Sequence, residues 1–80
     1  MKPSSPPLRA IVRVLWDAEA AVWVATSDEV PGLVVEMATF DDIVREVREL
    51  APELFFLNTG AQPAILDLHF LADRFESIAA

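Results

Sequence analysis

Residues 27–42 read SDEVPGLVVEMATFDD and contain one of the two glycines of an 80-residue chain, placed directly after a proline. Proline has no N–H to give a ladder and glycine accepts positive φ, so Pro31-Gly32 ends one extended segment and aims the next. Leu33–Met37 then reads as a strand, and Thr39 is a natural N-cap for a helix. Asp42 stands at the third helical position as a short capping-box partner, and Asp41 and Asp42 suit the positive end of the helix dipole. Within sixteen residues the hydrophobic period changes from two to 3.6.

Before this stretch, LRAIVRVLW (8–16) and AVWVATS (21–27) read as strands joined by DAEA, a connection of hairpin length. Pairing across that loop sets Trp16 opposite Ala21, Val14 opposite Trp23 and Val12 opposite Ala25. The opposite face carries Ile11, Arg13, Leu15, Val22, Val24 and Thr26. After it, Phe40, Ile43, Val44, Val47, Leu50, Ala51, Leu54 and Phe55 make one apolar helix stripe. Asp41, Asp42, Arg45, Glu46, Arg48 and Glu49 fall on the solvated side. Pro52 predicts a kink or tight restart, because Leu54 and Phe55 stay in phase beyond it. NTGAQP (58–63) closes the helix around Gly60. Residues 64–76 fit two periods; alternation of Leu66, Leu68 and Phe70 against Asp67, His69 and Leu71 favours a strand through about Arg74.

The expected fold is therefore a single α+β domain, β-β-β-α-β, an antiparallel sheet with one helix on one face. Residues 1–7 read as a flexible leader, 8–76 as the domain and 77–80 as a frayed C-terminus. One helix covers one sheet face, so the other is left as an apolar patch of the kind that marks an interaction site. A hydrophobic content of 54% in so short a chain points the same way, toward a homo-oligomer, with a dimer first. The candidate interface residues are Ile11, Trp16, Val22, Trp23, Val24 and Phe56.

Charge excludes some functions. Lys2, Arg9 and Arg13 give the first thirteen residues +3, and three arginines against thirteen acids give the remainder −10, for a net −7. A nucleic-acid binder needs a basic footprint, which is absent, whereas an acidic surface suits a basic protein partner. The chain has no cysteine, which fits a cytoplasmic location, and no apolar run long enough to span a bilayer.

The order of these elements resembles the HicB-like antitoxin domains, and most closely a small stand-alone bacterial family of unknown function in that group. The resemblance is carried by WDAEAAVWVATSDEVPGLVVE, the TFDDI helix start and PELF near the helix end, and covers Val12 to Leu57. It implies a partial ribonuclease-H-like fold and a module that blocks a small basic toxin cleaving messenger RNA. Larger antitoxins of that type add a C-terminal DNA-binding module for autoregulation; with the sequence ending at Ala80, a repressor role is not expected.

No motif supports catalysis. Asp17 sits at the hairpin tip and Asp41 and Asp42 at a helix start, while Asp67, His69 and Asp73 share one face of the last strand. A D-x-H-x-x-x-D metal site can be drawn there, but a surface or interface histidine is the simpler reading. Two separate glycines make no phosphate loop. The expectation is no catalytic, cofactor or metal residues, and no enzyme. The alternative is a small metal-dependent hydrolase or nuclease relic using carboxylates.

Overall fold

The computed structural model describes residues 8–80; the expected leader, 1–7, lies outside them. The elements are β1 (Leu8–Asp17), β2 (Val22–Thr26), β3 (Val34–Met37), α1 (Phe40–Thr59) and β4 (Leu66–Asp73). They form a single α+β domain in the expected order, with one helix packed on a four-stranded sheet of spatial order β3-β2-β1-β4. Among the described residues no helix is long and apolar enough to cross a membrane.

The sheet is mixed, which corrects the expectation of an antiparallel one. β1 pairs with β2, and β2 with β3, in antiparallel fashion, but β4 runs parallel to β1. The cause is the length of the helix. At ~1.5 Å per residue a twenty-residue helix carries the chain back along the whole length of a strand. A strand that follows it then sets out in the same direction as β1 and β3.

The β1–β2 register also differs from expectation, by two residues. Trp16 pairs with Trp23 and Val14 with Ala25. Asp17 belongs to the strand rather than to the loop tip, and its carboxylate Oδ1 accepts from the Glu19 and Ala20 amides at 3.1 and 3.2 Å. This Asx-type closure moves the loop to residues 18–21, where Ala21 takes φ 55°. A shift of two preserves the faces, so Val12, Val14, Trp16, Trp23 and Ala25 still point together.

Pro31-Gly32 forms a type II turn. The Leu33 amide donates to the Val30 carbonyl at 3.1 Å, with Pro31 and Gly32 between them and Gly32 at φ 88°. The flanking Val30 and Leu33 are both buried, so the turn anchors as well as redirects. Thr39 caps α1 as predicted, its hydroxyl accepting from the Asp42 amide at 3.1 Å. The Asp42 carboxylate does not complete a capping box; it accepts from Arg45 Nη1 at 2.7 Å. α1 passes through Pro52 as one helix and ends at Gly60, in the left-handed conformation at φ 73°.

The core lies between α1 and the even-numbered side of β1. Val12, Val14, Ala25, Val30, Leu33, Ile43 and Val47 are buried, with Ala10 and Ala51 allowing close approach. Each large side chain among them contributes ~1.5–3 kcal/mol by leaving water. Leu66, Leu68 and Phe70 pack on this core from β4 but stay partly exposed, because β4 is an edge.

Candidate functional site

The sheet face turned away from α1 is built by alternation. Odd-numbered residues of β1 and β4 and even-numbered residues of β2 and β3 point there. Its centre is apolar: Leu15 is 55% and Val34 63% exposed, beside Ile11, Val22, Val24 and Leu71. Around that centre stand the acids Asp17, Glu36, Asp67 and Asp73, with Arg9 and Arg13 the basic residues among them. Register places Arg9 beside Asp67, Ile11 beside His69 and Leu15 between Val24 and Asp73. No layer covers this face among the described residues.

Of the six candidate interface residues, the fold brings Ile11, Val22 and Val24 together on this open face. Trp16 and Trp23 point to the helix side instead. They begin a chain of edge-to-face rings: Trp16 to Trp23 at 5.3 Å, Trp23 to Phe40 at 5.9 Å and Phe40 to Phe70 at 6.2 Å. The Arg74 guanidinium closes its outer end, 4.0 Å from the centre of the Trp16 ring. Trp23, Phe40 and Phe70 pack against the margin of the Val- and Ala-rich core between α1 and the sheet. Phe56 is elsewhere, 43% exposed on the C-terminal half of α1. It borders a cleft of about 630 Å³ together with Pro52, Phe55, Pro63, Ala64 and Leu66.

Val34 and Leu71 belong to the open face but were not singled out by sequence; the period-two phase of β3 and β4 is the signal that places them there. Arg74 had no such signal, since its partner is an aromatic ring on another strand.

Asp67, His69 and Asp73 share the open face, as the alternation predicts. Among the described residues there is no group of three or more His, Cys, Asp or Glu side chains that could hold a metal ion. One buried hydroxyl, Ser27 Oγ, just past β2, has no hydrogen-bond partner among the described residues. A more conspicuous polar contact ties the loop to the sheet. β2 ends at Thr26, opposite Arg13, which leaves the outer edge of β1 open beyond it; there the Ile11 amide donates to Glu29 Oε1 at 2.8 Å.

Comparison with known proteins adds a family and a fold. The model of a domain of unknown function (DUF1902) matches residues 9–79. The crystal structure of a hypothetical protein from the extremely thermophilic bacterium Thermus thermophilus is similar, with 38% identity and a TM-score of 0.75. The similarity covers 88% of this chain and 99% of that one. No curated protein matches the chain.

Proposed function

The chain belongs to the DUF1902 domain family, and from that premise we propose that it is a non-enzymatic protein-binding module acting through its open sheet face. One observation carries this reading: a sheet face with an apolar centre, rimmed mainly by acids and left without a covering layer among the described residues. An interface needs such a desolvated centre with a polar rim. A net charge of −7 selects the partner's sign, because complementary charge speeds encounter and disfavours acidic competitors.

The finer reading rests on the HicB-like resemblance of residues 12–57. The partner is then a small basic toxin-like protein, and the domain acts as an antitoxin by covering it. The chemistry of the open face suits that role, since a basic ribonuclease surface would meet acids at the rim and aliphatic side chains at the centre.

The test is affinity capture from the native organism with the wild-type chain and with Leu15→Glu, side by side. The wild type should retain a small basic protein that Leu15→Glu loses, and co-expression of the chain should relieve any growth arrest that protein causes. Retention of the same proteins by both baits would defeat the open-face reading. Capture without relief of growth arrest would defeat the antitoxin reading alone.

A further inference from the structure

The β4 edge of the sheet has no neighbouring strand among the described residues. It is eight residues long and carries Leu66, Leu68, Phe70 and Leu71, whereas the opposite edge, β3, has four residues. A long apolar edge offers a row of unpaired N–H and C=O groups to another strand. Beyond β4, Arg74 is held in place over Trp16 and by an ion pair to Glu76 at 2.6 Å. The chain then leaves the body of the fold with Phe75 89% and Ile78 88% exposed. The family match runs to residue 79, so this arm lies within the shared domain.

The cleft bordered by Phe55, Phe56, Pro63 and Ala64 lies at the other end of β4. From Arg74 back to Leu66 is about 26 Å at ~3.3 Å per residue. Ile78 lies at most about 14 Å from Arg74 along the chain. The arm therefore cannot fill the cleft of its own chain. A second copy running antiparallel along β4 delivers its arm there.

We propose that two copies pair through their β4 edges, antiparallel about a twofold axis normal to the sheet. Leu71 then lies beside its counterpart, and each arm runs along the other copy's cleft. Charge and the reach of the arm together select this register. Opposed residues on antiparallel strands share a face, so the axis passes midway between one residue near the middle of β4 and its own counterpart. A pairing centred on Leu68 would set His69 against an acid, Asp67 of the second copy, but would carry Ile78 to the level of Asn58, past the cleft mouth at Ala64. Centred on Phe70, Asp67 would face Asp73 of the second copy, twice, with like charges opposed. Centred on His69, the two imidazoles would oppose each other. Centred on Leu71, His69 lies opposite Asp73 of the second copy and Asp73 opposite its His69. The same register sets Phe70 against Ala72 and Ile78 against Ala64, at the mouth of the cleft. The result is an eight-stranded sheet with both helices on one side and the two open faces joined on the other. It extends the binding surface proposed above but does not depend on what that surface binds.

The experiment uses the full chain, which has no cysteine of its own. Sedimentation equilibrium of the wild type at about 0.1 mM should give a dimer, a concentration well above the Kd of a stable interface. Leu71→Cys should oxidise to a disulfide-linked dimer roughly tenfold faster than His69→Cys, because only the axial pair meets disulfide geometry. His69→Asp should weaken the dimer by opposing two carboxylates, and His69→Asp with Asp73→His should restore it. A wild-type monomer overturns the proposal whatever the variants do. Faster cross-linking at His69 than at Leu71, or a dimer indifferent to the charge swap, overturns the register and with it the arm's place in the cleft.

Discussion

Asn58, in the last turn of the helix, donates its side-chain amide to the carbonyl of Pro31 at 2.9 Å, and also to that of Leu54 in its own helix at 2.9 Å. One side chain thus ties the Pro-Gly turn to the helix end across 27 residues of sequence. Gly32 packs at the same place, where a Cβ would come within 4.0 Å of Leu54. Removing the amide in Asn58→Ala should cost about 1 kcal/mol, the net worth of a partly exposed hydrogen bond. Asn58→Asp should cost at least as much, because a carboxylate cannot donate to either carbonyl. Urea denaturation of both variants measures this.

Gly32→Ala should destabilise by about 1–2 kcal/mol, since an L-residue at φ 88° meets its own backbone rather than a neighbour. A Cβ at Gly60 meets nothing within 4 Å, so only the backbone cost applies there, and Gly60→Asn should recover most of what Gly60→Ala loses. Equal stabilities for Gly32→Ala and wild type in thermal unfolding would contradict the type II turn.

Glu29 supplies the acceptor for the Ile11 amide where β2 has already ended. Glu29→Gln keeps a carbonyl in place and should be nearly neutral, whereas Glu29→Ala should cost about 1 kcal/mol. Amide hydrogen exchange gives a local readout. The Ile11 N–H should exchange faster in Glu29→Ala, with the Val14 amide unchanged.

Arg74 lies over Trp16, within reach of Trp23 at 5.7 Å. Arg74→Ala should shift tryptophan fluorescence and lower stability by at most about 1 kcal/mol, the scale of an exposed cation–π contact. Arg74→Lys should keep part of both effects. An unchanged emission spectrum would place the guanidinium elsewhere.

Much of this fold is legible because its strongest signals are local. Pro31-Gly32, the Thr39 cap and the in-phase stripe from Phe40 to Phe55 each act within a few residues, and each forms where the pattern puts it. The parallel direction of β4 departs from the expected one although its cause lies in the element order. Three alternating strands followed by a full-length helix return the chain to the starting end, so the fourth strand must run with the first. The hairpin register departs for a finer reason: Asp17 can close a turn from inside the strand, and nothing in DAEA separates that role from a place in the loop.

The candidate surface is legible by face rather than by residue. Alternation groups Ile11, Val22 and Val24 without error, and a shift of two in register leaves that grouping intact. Size draws Trp16 and Trp23 into the same set, although their phase already sends them to the helix side. The cleft beside Phe56 and the arm beyond Arg74 have no sequence signature, because each depends on which end of β4 faces which element.

The open face itself is tested most directly by one affinity ratio. For the small basic protein captured by the wild type, Leu15→Glu should weaken binding by roughly a hundredfold, as expected when a charge enters the buried centre of an interface. Arg45→Glu, on the outer side of the helix, should change it by less than about threefold. Equal affinities for the two variants would contradict a binding surface on the open sheet.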